Sequence, residues 1–304
     1  MKHVVSISLG SSKRNHKASI EVMDESFLLE RIGTDGDMNK MIALIRQYDG
    51  HVDAFGLGGM DLYIQAVDRR YTLRDAQKVA RAAKHTPVVD GSGLKNTLEK
   101  RVIRSLAGDT DILQGSPRVL MVSAMDRYGM ATSLEEAGCR MTYGDLAFIL
   151  GIPVGLKSLS SLAFIARILV PFIRFLPFHM IYPTGLKQDS ITSKYPKLYK
   201  DADIVAGDFH LIKRYMPDLL EDAVIITNTV TKEDLDLLRA RKVKVLVTTT
   251  PEIEGRSFGT NVMEAMLVAL KGSKKELEAE EYDDMLEKLA FEPRITYLNA
   301  MERR

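Results

Sequence analysis

The sequence predicts an α/β protein in two parts. An N-terminal mixed α/β domain is expected over residues 1–115, and a C-terminal Rossmann-like parallel sheet with helices on both faces over residues 116–304. Three observations carry this expectation. A chain of 304 residues is long for one core, since single cores usually stop growing near ~250–300 residues. From Arg118 onward, short apolar runs alternate with helical periodicity, the pattern of parallel strands joined by crossover helices. Between the two parts, Gly108–Pro117 (GDTDILQGSP) is rich in turn formers.

In the first part, Val4–Leu9 reads as a strand and runs into a polar turn, Gly10 to His16. Ser19–Met23 and Phe27–Ile32 read as paired strands around Asp24-Glu25. Asp37 can cap a helix whose apolar residues Met38, Met41, Ile42 and Ile45 keep helical spacing. Val52–Leu57 is a further strand, ending in Gly58-Gly59. A helix follows from about Thr72 to Lys84, and another after Gly93 carries Leu94, Leu98, Val102 and Leu106 on one face.

In the second part the expected order is strand Arg118–Ala124, helix Met130–Ala137 and strand Cys139–Tyr143. Later come strands Asp203–Ala206 and Val224–Thr227, a helix opening at Thr231, strand Val243–Thr248 and a helix from about Thr260 to Leu270. Thr231 and Asp234 have the spacing of a helix cap and its return partner. The charged tail Lys274–Leu289 reads as a helix packing through Leu277, Tyr282, Met285 and Leu289. The most apolar stretch, Ser158–Tyr182, contains Arg167, Arg174, Pro171 and Pro177. A central arginine costs roughly 2.5–3.5 kcal/mol on insertion scales. An amphipathic helix that is buried, acts as a lid or dimer face, or touches a membrane surface is therefore expected in place of stable membrane insertion.

A formal net charge of +1 gives no bulk electrostatic case for nucleic acid. The lone Cys139 fits a reducing compartment. Met1 leads straight into strand-like sequence without the charged and apolar regions of a leader, so a cytoplasmic location is expected. No two of the six histidines stand at metal-ligand spacing.

Two loops stand out chemically. The first runs from Thr248 to Asn261 (TTTPEIEGRSFGTN), between a strand and a helix. Ligands of open α/β sheets sit beyond the carboxyl ends of strands, and the following helix offers free N–H groups. Thr249, Thr250, Arg256, Ser257, Gly259, Thr260 and Asn261 are candidate holders of a phosphate or carboxylate; the plainer reading makes Thr260 or Asn261 only a helix cap. The second loop follows the strand at Arg118–Ala124. There the layout matches the opening βαβ of a dinucleotide fold, with Ser123, Asp126, Arg127 and Gly129 at the turn and Asp145 placed to accept from a ribose. Three glycines are usual at such a turn and this one has Gly129 alone, so an ordinary βαβ unit is the alternative.

Smaller candidates follow. Asp90 and Lys95, around Gly91 and Gly93, could relay a proton at a carbinol oxygen or form a plain turn with a solvated lysine. His210, after Gly207-Asp208, could act as acid, base or metal ligand, or be structural.

The blocks VVSISLGSSKRNHK, MDRYGMATSLEEAG, YGDLAF, LPFHMIYPTGLKQ, DADIVAGDFH and TTTPEIEGRSFGTNVMEAMLVAL resemble bacterial and archaeal proteins commonly labelled quinate 5-dehydrogenase. The resemblance runs over nearly the whole chain. It implies oxidation of a hydroxy-carboxylate of the quinate or shikimate type with NAD or NADP, and proton relay by a Lys/Asp pair. Lys95 stands in a comparable position, and the family's substrate aspartate is not matched to a particular residue here. Two other likenesses are present. Residues 254–265 are similar to the nucleotide-sugar loop of two-domain glycosyltransferases, with Glu264 at the donor-ribose position. Ser8-Leu9-Gly10-Ser11-Ser12 is similar to the phosphate turn of actin-like ATPases, with Ser8 in place of an aspartate. The expectation is thus an NAD(P)-dependent oxidoreductase acting on a small anionic ligand, with the apolar helix offering a homodimer face. A sugar-nucleotide transferase and a non-catalytic sensor of an anionic metabolite are the alternatives.

Overall fold

The computed structural model describes residues 1–66, 69–175, 191–250, 252–253 and 256–299. The elements run β1 (Lys2–Ser8), β2 (His16–Val22), β3 (Glu25–Gly33), α1 (Met38–Tyr48), β4 (Ala54–Gly58), β5 (Tyr63–Ala66) and β6 (Arg69–Thr72). Then come α2 (Arg74–Ala80), β7 (Val88–Val89), α3 (Ser92–Asp109), β8 (Arg118–Met121), α4 (Tyr128–Glu136), β9 (Arg140–Tyr143) and α5 (Asp145–Phe148). Next are α6 (Leu159–Ile173), α7 (Pro196–Lys200), β10 (Ile204–Gly207), α8 (Phe209–Tyr215), β11 (Val224–Thr227), α9 (Lys232–Ala240) and β12 (Val245–Thr248). The chain ends with β13 (Glu252–Ile253), β14 (Arg256–Ser257), α10 (Thr260–Lys271), α11 (Ala279–Lys288) and β15 (Arg294–Tyr297). The α/β expectation in two parts holds.

The division between the parts is not the one expected at 115/116. Of the described residues, 1–97, 168–175 and 252–291 make the first unit, and 98–167, 191–250 and 292–299 the second. The chain therefore returns to its first unit after β12. The reason lies in the first sheet, ordered β2-β3-β1-β4-β7. β1 lies parallel between β3 and β4, and β2 is an antiparallel edge paired with β3. One face presents Val5, Ile7, Phe55 and Leu57 to Met41 and Ile45 of α1 and Ala76 and Val79 of α2. The opposite face presents small residues, Ser6 beside Gly56 and Ser8 beside Gly58. Helix α10, more than 200 residues away in sequence, lies on that face. A Cβ on Gly56 would stand 2.6 Å from the Asn261 carbonyl oxygen, and Asn261 Nδ2 donates to Ser6 Oγ at 2.7 Å. Glycine at 56 is what allows so close an approach, and burial of Met263, Leu267 and Val268 stabilises it.

The second sheet is ordered β15-β12-β11-β10-β8-β9. β9, β8, β10, β11 and β12 are parallel, and β15 is an antiparallel edge on β12. Leu120, Val205, Ile225 and Leu246 are neighbours in register and share one core cluster with Phe148, Phe209, Ile212 and Leu238. Met121, Ala206, Ile226 and Val247 point the other way and are fully buried. Sheets buried on both faces need such continuous apolar strands, which is why these strands were legible.

The Thr231–Asp234 capping box opens α9 as expected. The tail helix is shorter than expected, because Glu278 and Glu281 form its capping box and start it at Ala279. The apolar segment gives α6, with Leu162, Ala166 and Val170 buried and Phe164 and Ile168 exposed. Among the described residues, no helix is long and apolar enough to cross a membrane. Residues 176–190, including Pro177 and Tyr182 of the apolar stretch, lie outside the described residues.

Candidate functional site

In the second unit, β8 has β9 on one side and β10 on the other, so the strand order reverses between β8 and β10. Loops leaving adjacent strands diverge at such a point, and ligands of open α/β sheets bind there. The loops at this end are residues 122–127 after β8, 208 after β10, 228–231 after β11 and 249–250 after β12.

A buried guanidinium occupies this end. Arg127, 4% exposed, forms ion pairs with Glu99 of α3, which is 1% exposed, and with Asp208 Oδ2 at 3.1 Å. Asp126 Oδ2 lies 3.8 Å from Arg127 Nε. Burial alone would lower the Arg127 pKa, but Glu99, Asp126 and Asp208 override it and raise it. Burial would likewise raise the Asp208 carboxyl, yet the facing Arg127 charge, with His210, holds it below its usual value. Asp208 thus remains a carboxylate. The Arg127 guanidinium thus faces three carboxylates.

Uncharged groups complete the cluster. Asn228 Nδ2 donates to Asp208 Oδ2 at 3.1 Å and its Oδ1 accepts from Phe209 N–H at 3.2 Å. Ser123 Oγ accepts from Asp208 N–H, and Thr227 Oγ1 donates to the Gly207 carbonyl at 2.7 Å. Thr229 and Thr250 share a hydroxyl–hydroxyl bond of 2.9 Å. Asp126, Asp208, Asn228 and Thr229 keep part of their surface exposed, whereas Arg127, Ser123 and Thr250 are buried behind them. His210 is exposed, and its backbone N–H is bonded to Asp208 Oδ1, the cap of α8.

The expected dinucleotide turn is not formed. Asp145 is buried, its Oδ2 accepting from Ala124 N–H at 3.1 Å and its Oδ1 from Met125 N–H at 2.9 Å. These are the amides a pyrophosphate would need. Burial pushes Asp145 up to about 6, and the two amide bonds oppose that rise. Gly129 is buried within the first turn of α4, and Arg127 is held by its carboxylates. With the turn amides occupied and the acid facing inward, these residues do not fit NAD or NADP.

The other expected sites are dispersed. Thr249 and Thr250 are buried in the second unit, while Gly259, Thr260 and Asn261 belong to the first. There the start of α10 is covered, since a Cβ on Gly91 would lie 2.7 Å from Asn261 N. The backbones of Glu252–Ile253 and Arg256–Ser257 form a small antiparallel ladder; the side chains of Arg256 and Ser257 lie outside the described residues. Asp90 does not face Lys95 as a relay: its Oδ1 accepts from Ser92 Oγ and N–H, and its Oδ2 from Leu62 N–H. Lys95 lies 3.7 Å from Asp61 instead. Glu264, the proposed ribose acceptor of the transferase likeness, is fully buried and accepts from Gly91 N–H and Tyr282 Oη. Burial, reinforced by Asp90 and Glu276, pushes it up to about 8. The ATPase likeness fails in topology, because β2 pairs with β3 and makes no hairpin with β1.

Sequence reasoning passed over Glu99, Asp208, Asn228 and Thr229. The signal available was a polar residue directly after each of β10 and β11, and an acid beside Leu98 on the apolar face of α3.

The fold and this cluster define a two-unit α/β protein with a cluster of polar side chains at the carboxyl end of its second sheet and, among the described residues, no nucleotide turn. The chain belongs to the family described as Domain of unknown function (DUF8754), whose model matches residues 93–298. Residues 3–90 match Domain of unknown function (DUF8753). No curated protein matches the chain. Solved structures resemble it in outline only. A sugar transport substrate-binding protein from Bordetella parapertussis shares 10% identity over 100% of this chain and 92% of its own, with a TM-score of 0.38. GanP, a glucose-galactose binding protein from Geobacillus stearothermophilus, shares 10% over 99% of each chain, also at 0.38. An NAD-dependent malic enzyme from Thermotoga maritima shares 12% over 90% of this chain and 73% of its own, at 0.37. A galactofuranose binding protein also matches, at 12% identity over 95% of this chain and 99% of its own, with a TM-score of 0.36. The expected NAD(P)-dependent oxidoreductase of quinate type is corrected on the chain's own geometry: Asp145 takes the turn amides, and Asp90 is engaged by Ser92 and Leu62 N–H while Lys95 lies beside Asp61.

Proposed function

We propose that this chain is a non-catalytic binding protein that holds a small, hydroxyl-rich, uncharged solute at the carboxyl end of its second sheet. The Arg127 cluster at the strand-order reversal carries this reading. Asp208 and Asn228 present carboxylate and amide acceptors that are fixed from behind by Arg127 and Phe209 N–H. Such preorganised acceptors suit ligand hydroxyls, and Asn228 can donate as well as accept. Three carboxylates lie about Arg127 here, so the proposed ligand is neutral in place of the anionic metabolite first expected. A carboxylate held below its usual pKa is a weak base, and catalysis by proton transfer needs a group poised near the working pH.

Calorimetric titration of the full chain with neutral monosaccharides and polyols tests this. Saturable binding by at least one of them is expected. Asp208→Asn should weaken it by about 1.5–3 kcal/mol, the worth of a hydrogen bond to a charged group, a factor of roughly 10 or more. Undiminished affinity in a folded D208N would refute the assignment.

A further inference from the structure

At the carboxyl end of the first sheet the charged side chain beside the central strand is a cation, Arg31. β1 has β3 on one side and β4 on the other, so this sheet too reverses its order at β1, and the loop leaving Ser8 lies where open α/β sheets take ligands.

Ser8 is 4% exposed. Its Oγ accepts from Gly10 N–H at 3.0 Å and from Arg31 Nη2 at 3.2 Å. A hydroxyl has two acceptor lone pairs and one proton, so both acceptor positions are filled and the proton is left to donate. No described residue supplies an acceptor for it.

Arg31 adds more donors. A guanidinium carries five N–H groups, and the bonds shown are Nη2 to Ser8 Oγ and Nη1 to the Ser11 carbonyl at 3.1 Å. Among the described residues no carboxylate pairs with Arg31. Its neighbour Glu30 is engaged by His3 and Lys17 on the other side of the strand, and Asp35 accepts from Ser12 N–H at 2.7 Å. Burial and the nearby charge of Arg14 lower the Arg31 pKa, although Asp35 opposes this. Lys13, Arg14, His16 and Lys17 are exposed along the same loop and strand. The environment is therefore short of negative charge and of acceptors.

Gly10 keeps the guanidinium approachable. A Cβ there would stand 3.0 Å from Arg31 Nη2 and 3.2 Å from Ser8 Oγ, so any side chain would lie over the two groups. We propose that the carboxyl end of β1 is an oxyanion-binding site, in which the Arg31 guanidinium and the Ser8 hydroxyl hold a phosphate or carboxylate group past Gly10. The site uses the first unit alone, so it stands or falls separately from the neutral-solute site of the second unit.

The test is calorimetry of the full chain against inorganic phosphate and, in a separate arm, acetate at matched ionic strength. Saturable binding is expected. Phosphate alone would mark a phosphoryl ligand, and acetate binding as well would mark a carboxylate one. Arg31→Gln should weaken binding at least tenfold, whereas Arg46→Gln, at an exposed position of α1, should leave it unchanged. Should R31Q fail to fold, Gly10→Val decides. With unaltered circular dichroism and unliganded melting temperature, its loss of binding supports the site and wild-type affinity overturns it. Failure of both anions to bind the wild-type chain, or wild-type affinity in a folded R31Q, also overturns the proposal.

Discussion

Replacing Arg127 by methionine removes the guanidinium that pairs with Glu99 and Asp208. Glu99 and Arg127 are almost wholly shielded from water, so solvent screening discounts the effect little. Breaking a buried pair by deleting one partner typically costs about 3–5 kcal/mol, because the partner is left buried and uncompensated. The cost should depend on pH in a defined sense. In the wild-type chain Asp208 has a lowered pKa. Its contribution is therefore present above the ordinary carboxylate value and is lost as pH falls through the lower, folded value. In Arg127→Met, Asp208 loses the facing charge that holds its pKa down, and that pKa rises. The folded variant then has to ionise buried carboxyls as pH increases, and protonation in acid relieves it. Urea unfolding followed by circular dichroism should show the full loss near about pH 7.5 and a clearly smaller one near about pH 4.5. Glu99→Gln added to R127M should recover part of the loss at neutral pH. A loss below about 1 kcal/mol, or one that is equal at both pH values and unaffected by E99Q, would refute the reasoning.

Two further outcomes follow from the first unit. Glu264 has a folded pKa of about 8 against an ordinary 4.5, so between those values the folded chain keeps a proton that the unfolded chain releases. Wild-type stability should thus fall as pH rises through that window, and Glu264→Gln should remove the dependence. At ~1.4 kcal/mol per unit this amounts to a few kcal/mol; parallel wild-type and variant stability curves would contradict it. Gly91 has φ +95° and a Cβ there would lie 2.7 Å from Asn261 N. Gly91→Ala should therefore cost about 2–4 kcal/mol through backbone strain and displacement of α10, read as a lowered melting temperature. A change within experimental error would mean that α10 does not sit against Gly91.

Most elements of the fold were legible because they rest on local signals. Continuous apolar strands, the Asp37 and Thr231 caps and the helical spacing of Leu94, Leu98, Val102 and Leu106 each report on their own neighbourhood. The return of residues 252–291 to the first unit was not legible. It depends on Ser6, Gly56 and Gly58 forming a face of small side chains, which only strand register reveals. Asp145 illustrates the same limit at the site. An acid after the second strand of a βαβ unit looks alike in sequence whether it meets a ribose or caps the preceding loop. The register of β8 and β9 decides, by bringing Asp145 under the amides of Ala124 and Met125. The Arg127–Glu99 pair joins residues 28 apart on different elements, and nothing local marks it. The edge strand β15 and the β5–β6 hairpin were also missed. Each is four residues per strand, too short for alternation to stand out.

The most direct test of binding without chemistry is calorimetric titration of the purified full chain with neutral sugars and with NADH side by side, followed by mass spectrometry of the recovered ligand. Saturable binding of a sugar that is recovered unaltered, with no heat from NADH, is the predicted result. Saturable NADH binding, or a sugar returned in changed form, would contradict the account.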